Sequence, residues 1–140
     1  MSAINKFMSR GFVPPQVHGV LDYPLAAVLI AGPLVIDFDY KAATVIALVL
    51  GGGAAILAVG TNWTTGIVKV IPPLLHGYVD VIVTFALIIL PFCIGFSYRT
   101  GALLFYLIVG AGGLAATLAT RFESPQRMPA ERTMPFPEAA

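Results

Sequence analysis

The sequence predicts an all-α integral membrane protein in which four transmembrane helices form two tandem helical hairpins that cross the bilayer in the same sense. Three observations predict it. The 140 residues are 58% hydrophobic and only 11% charged, less than half of the roughly 25% charge of an ordinary globular chain. The apolar residues fall in four long blocks rather than in a pattern with one polar face. A motif of proline, histidine and aspartate also occurs twice at a fixed spacing.

The spans follow from the charge-free stretches, which cover residues 23–36, 42–68, 81–98 and 101–120. A helix needs about 20 apolar residues to cross the hydrocarbon core. The second and fourth stretches meet that length. The first and third meet it only if they extend backward through Asp22 and Asp80, which brings His18 and His76 into the spans as well. The spans are therefore placed at 17–36, 42–62, 74–95 and 101–121. Backbone groups in lipid must be satisfied internally, and the blocks lack the alternation of barrel strands, so each span is a helix. Pro15 and Pro73 suit the first helical position, where a missing N–H is harmless, whereas Pro24, Pro33 and Pro91 lie inside spans and bend them.

Lys6 and Arg10 ahead of an apolar block resemble the start of a signal peptide, but this block is as long as a span, holds Asp22 and recurs later, so it is assigned to the mature fold. The four-span bundle takes up residues 1–122 and leaves no room for a separate catalytic domain; the tail, 123–140, is rich in proline and charge, a composition that predicts disorder unless a partner holds it. Lys6, Arg10, Lys69, Arg121, Arg127 and Arg132 fall on one side of the bundle and only Lys41 and Arg99 on the other, which puts both termini in the cytoplasm. Asp37 and Asp39 then sit in a short outer turn as solvated charges. Trp63 and Tyr23, Tyr40, Tyr78, Tyr98 and Tyr106 fall mostly near span ends and read as interfacial anchors. Cys93, the single cysteine, excludes a disulfide within the chain and a cysteine-based metal site, and reads as a small packing residue. With a net charge of +1, nothing points to nucleic acid.

The repeat is specific. Pro14-Pro15-Gln16-Val17-His18-Gly19-Val20-Leu21-Asp22 aligns with Pro72-Pro73-Leu74-Leu75-His76-Gly77-Tyr78-Val79-Asp80 at an offset of 58, which also carries Pro33 to Pro91 and Phe38 to Phe96. One residue of slippage then matches Thr61-Asn62-Trp63 to Thr120-Arg121-Phe122, and Gly51-Gly52-Gly53 to residues 110–112. The copies run from about 14–63 and 72–122. Each holds two spans, so the copies are parallel and related by a pseudo-twofold axis along the membrane normal, with His18 and His76 at equal depth. The run His18-Gly19-x-Leu21-Asp22-Tyr23, then Leu29-Ile30-x-x-Pro33, then Thr61-x-Trp63 leading through Gly66 and Lys69 to Pro72, resembles the small bacterial SPW-repeat membrane proteins over residues 14–122, with Gly32-Pro33-Leu34 and Leu90-Pro91-Phe92 in place of Ser-Pro-Trp. The resemblance implies a duplicated two-span unit in a bacterial inner membrane and no particular activity.

His18 and Asp22, four residues apart, share one helix face, as do His76 and Asp80. Ionisable groups cost roughly 2.5–3.5 kcal/mol each at mid-membrane, so all four are candidates for function. Three uses are open. His18, Asp22, His76 and Asp80 suit a divalent metal such as zinc or iron; His18 and His76 alone suit a haem or pigment; the pairs also suit proton relay or a quinone. Beside these stands a reading with no cofactor, in which each pair lies in the first turn of its helix, satisfies itself and complements the helix dipole. Gly51, Gly52, Gly53, Gly110, Gly112 and Gly113 give the second and fourth spans small faces for close helix packing, within the chain or against a partner. No serine or cysteine nucleophile with a paired base appears, nor a HExxH motif. The chain accordingly reads as a non-enzymatic accessory or assembly subunit of a larger membrane complex, in contact with lipid and with other subunits or its own copies. The alternatives are a metal-, haem- or pigment-binding protein centred on the two pairs, and a small oligomeric channel or transporter.

Overall fold

The structure is a computed structural model and describes residues 10–122. Lys6, Arg127, Arg132 and the tail lie outside the described residues. Four helices appear among the described residues: α1 (Pro15–Ile36), α2 (Lys41–Gly60), α3 (Pro73–Cys93) and α4 (Thr100–Ala119). Each is long and apolar enough to cross a membrane. The most apolar stretch of each helix is only 22–39% buried within the chain, so most of its apolar surface faces outward, as a lipid-facing helix requires.

Pro15 and Pro73 occupy the first helical positions, so α1 and α3 begin slightly earlier than the charge-free stretches suggest. At the other ends Thr61 and Thr120 turn extended, and α2 and α4 stop short of the expected 62 and 121. The reason is a pair of parallel bridges, Val13 with Thr120 and Thr61 with Ile71. Arg121 N–H donates to the Val13 carbonyl at 2.9 Å and Asn62 N–H to the Ile71 carbonyl at 2.8 Å. The residue after each even-numbered helix is thereby tied to the residues before an odd-numbered one. Gly66 is needed in the connector, because a Cβ there would lie 1.7 Å from the Thr61 carbonyl oxygen.

Helices pack mainly within hairpins, α1 on α2 and α3 on α4, and the hairpins meet through α1 against α4 and, more sparsely, α2 against α3. The hairpin contacts come in like pairs. A Cβ added at Gly51 would stand 2.8 Å from Ile30 Cγ1, 2.9 Å from Leu29 Cβ and 3.1 Å from the Ala26 carbonyl oxygen. At Gly110 the corresponding distances are 2.9, 3.0 and 3.1 Å to Ile88 Cγ1, Leu87 Cβ and the Thr84 carbonyl oxygen. Both glycines let a facing helix come close enough for backbone-level van der Waals contact.

The loop end of the bundle is plugged by Phe38, Phe96, Phe105 and Tyr106, whose rings pack 5.0–6.1 Å apart, and the buried Tyr106 hydroxyl donates to the Ala43 carbonyl at 2.7 Å. Tyr106 is thus a core residue, not an interfacial anchor. Leu29 and Leu87 fill the middle. Cys93 faces outward rather than into a packed contact. Asp39 is paired with Arg99 across the loop end, while Asp37 is exposed. The opposite end, which holds the two bridges, is where the polar side chains converge.

Candidate metal centre

With Pro15 and Pro73 at the first helical positions, His18 and His76 are fourth in α1 and α3, and Asp22 and Asp80 eighth. The aspartates therefore lie about 10 Å along the axis from the helix start, in the second turn. This corrects the first-turn placement: no acidic residue occupies the first turn of either helix, and the carboxylates are too deep to act mainly on the helix dipole. His18 is 3% exposed, Asp22 7% and His76 1%, so their surroundings decide what these polar groups can do.

The two pairs come together. His18 Nε2 lies 2.9 Å from Asp80 Oδ2 and 3.4 Å from Asp22 Oδ1, and His76 Nε2 lies 3.0 Å from Asp80 Oδ2 and 3.2 Å from Asp22 Oδ2. Nitrogen and oxygen alternate around a closed ring, with each histidine touching the aspartate of its own helix and that of the other hairpin. One atom from each residue lies within 4.8 Å of all the others. Ligands at 2.0–2.2 Å from a common ion stand about 3 Å apart at right angles and about 3.4 Å apart at tetrahedral angles. The ring edges, which use both oxygens of Asp22, fall in that range, and the separations of up to 4.8 Å across the group would have to close slightly around an ion.

Hydrogen bonds behind the ring fix which histidine nitrogen carries a proton. Thr61 Oγ1 donates to the Leu57 carbonyl at 2.6 Å and lies 2.8 Å from His76 Nδ1; Thr120 Oγ1 donates to the Ala116 carbonyl at 2.7 Å and lies 3.0 Å from His18 Nδ1. A hydroxyl has one hydrogen. Since each threonine gives it to a carbonyl, each can only accept from Nδ1, and both imidazoles carry their proton there. In the neutral rings Nε2 is then a lone pair pointed at carboxylate oxygen. Such a group of acceptors needs either an added proton on each ring or a cation between them.

The hydrogen-bond alignment is uneven around the ring. His18 Nε2 has an aligned partner in Asp80 Oδ2, but the buried His76 Nε2 and Asp22 Oδ2 have no hydrogen-bond partner although they lie 3.2 Å apart. A cation is less sensitive to that angular misalignment and would engage all four groups. A tetrapyrrole, by contrast, does not fit: the carboxylates of Asp22 and Asp80 occupy the plane between the two imidazoles that a macrocycle would have to fill.

Two aromatic rings shield the site. Trp63 packs on His76 at 4.3 Å between ring centroids and on His18 at 5.9 Å, and Phe122 meets His18 edge-on at 5.3 Å. Trp63 is 6% exposed and donates its indole N–H to the Ala58 carbonyl at 3.3 Å, so it is a wall of the site and not an interfacial anchor. A Cβ at Gly19 would stand 2.8 Å from that indole, which is why the residue after His18 is glycine. In the aligned triplets Thr61-Asn62-Trp63 and Thr120-Arg121-Phe122 the first and last members serve the histidines, a role that only the fold makes visible. The signal was the recurrence of a threonine and an aromatic two apart after each glycine-rich span.

Of the six glycines read as packing residues, Gly51, Gly110 and Gly113 face close neighbours in the fold, whereas a Cβ at Gly52, Gly53 or Gly112 would meet nothing within 4 Å. No family model, curated protein or solved structure matches the chain.

Proposed function

We propose that this multi-pass membrane protein binds a divalent first-row transition metal, zinc being the first candidate, between its two hairpins, with His18, His76, Asp22 and Asp80 as ligands. The observation that carries the reading is the placement of the imidazoles: both Nδ1 atoms lie within hydrogen-bond distance of Thr61 and Thr120, and both Nε2 atoms face the carboxylates. Metal-bound histidines commonly have their other ring nitrogen fixed in this way. Two carboxylates also neutralise a divalent ion, so the filled site carries no net charge into the bilayer. Imidazole with carboxylate suits zinc, iron or a neighbouring ion better than soft copper(I).

The test is elemental analysis of protein purified without added metal, followed by titration with Zn²⁺ and Co²⁺. About one metal ion per chain is expected, and its loss in His18→Ala with His76→Ala while the helical signal persists. Full metal occupancy in that double variant would falsify the assignment.

Arg10, Lys69 and Arg121 adjoin the metal end of the bundle and Lys41 and Arg99 the loop end. That asymmetry supports an orientation with the metal end and both termini in the cytoplasm of a bacterial cell. A second reading, an accessory subunit held by lateral helix contacts, is favoured by the outward position of Gly53 on α2. Native mass spectrometry of the gently extracted protein tests it, with a partner polypeptide or a second copy expected in the particle and a lone chain counting against it.

A further inference from the structure

Beside the ring lies a cavity of about 140 Å³. It touches His18, Asp22 and Asp80 but not His76, and runs from them between the hairpins to Leu29 and Leu87. Asp80 is the ligand whose side chain is most exposed, at 19% against 9% or less for the other three. The ring is therefore closed on the side of Trp63 and Phe122 and open on the side of the cavity.

The cavity wall has little to offer a polar guest. Two hydroxyls line it, and both are already used: Thr84 Oγ1 donates to the Asp80 carbonyl at 2.7 Å and Thr117 Oγ1 to the Gly113 carbonyl at 2.9 Å. The other wall residues away from the ring are aliphatic or glycine. An apolar cavity of about 150 Å³ holds a molecule the size of benzene. The combination selects a compact, uncharged guest with an apolar body and one donor atom turned toward the ring.

We infer that the metal keeps one coordination position facing this cavity, and that the cavity admits a small neutral ligand which binds the metal there through a single donor atom. The inference rests on the proposed metal site. Metal sites that take up exogenous molecules typically hold the ion by three protein ligands with an accessible further position, sometimes expanding to five-coordinate, whereas structural sites are closed; here the accessible side is that of Asp80, the most exposed ligand.

The experiment uses the full-length protein loaded with Co²⁺, whose visible absorption reports its coordination, and imidazole as the neutral probe. A saturable spectral change is expected on adding imidazole, with cobalt content unchanged. Ala54→Leu and Gly112→Leu add bulk at the cavity wall from α2 and α4, and each is expected to weaken imidazole binding at least tenfold while cobalt stays bound. Gly112 accepts a side chain, since a Cβ there meets nothing within 4 Å. Gly53→Leu adds the same bulk outside the cavity and should bind imidazole like the parent protein. An unchanged spectrum in cobalt-loaded parent protein overturns the inference, as does equal affinity in all three variants. Failure of the parent protein to take up cobalt instead overturns the metal reading beneath it.

Discussion

Thr61 and Thr120 carry more of the site's chemistry than their ordinary side chains suggest. Each hydroxyl is saturated as a donor by the carbonyl four residues back and so can only accept from histidine. Replacing either with valine keeps the shape and removes the acceptor, leaving a buried Nδ1–H without a partner and a ring free to rotate or change tautomer. Loss of such a partner typically lowers metal affinity about 10–100-fold. Thr61→Val and Thr120→Val are each expected to weaken Zn²⁺ binding by that factor in competition with a chromogenic chelator, and Thr→Ser at the same positions to restore it. Rescue by serine separates a role in orienting the ring from one in simply filling space. Equal affinity in the valine variants would remove the reason for assigning the inward lone pairs.

Close helix approach depends on two glycines that occupy like places in the hairpins. A methyl group at Gly51 or Gly110 meets a side-chain Cβ and a backbone carbonyl at about the same distances in both, and a carbonyl cannot step aside as a side-chain end can. Gly51→Ala and Gly110→Ala are therefore expected to destabilise the protein by about 1–3 kcal/mol, the usual cost of overpacking. Gly53→Ala, which meets nothing within 4 Å, should be neutral or stabilising by up to about 1 kcal/mol through helix propensity. Thermal unfolding in one detergent compares the three; equal behaviour of Gly51→Ala and Gly53→Ala would show that close approach is not what glycine provides. These glycines also mark how far the sequence could be read. Helix number, order and ends within about two residues followed from charge-free length and proline position, and the paired His-Asp motif exposed the site. Rotation of each helix did not follow, because the spans are apolar nearly all round and no polar stripe distinguishes Gly51 from Gly53 or marks Tyr106 as buried. The part of Thr61 and Thr120 was hidden for another reason, since it arises only where the helix ends and an extended bridge begins.

The ring is wired across the two hairpins, so a metal bound there would add to the stability of the whole fold. His18 belongs to the first hairpin but takes its threonine, Thr120, from the end of the second; His76 belongs to the second and takes Thr61 from the first. Each histidine also touches an aspartate of the other hairpin. At the opposite end the aromatic plug and the Tyr106 hydroxyl join the hairpins, and little but lipid-compatible side chains lies between. In a bilayer such side chains gain nothing by leaving water, so directional contacts weigh more in holding the hairpins together than they would in a soluble bundle. A ligand that binds only the assembled state stabilises it by RT ln(1 + [L]/Kd), about 2.7 kcal/mol when free metal stands a hundredfold above its dissociation constant. Chelation of the parent protein is therefore expected to lower the unfolding midpoint measurably, and added Zn²⁺ to restore it in proportion to the logarithm of its concentration. In His18→Ala with His76→Ala the midpoint should start low and respond to neither. A parent midpoint indifferent to chelator, in protein shown by elemental analysis to have lost its metal, would mean that the plug and bridges alone hold the hairpins and that the ring contributes nothing to their assembly.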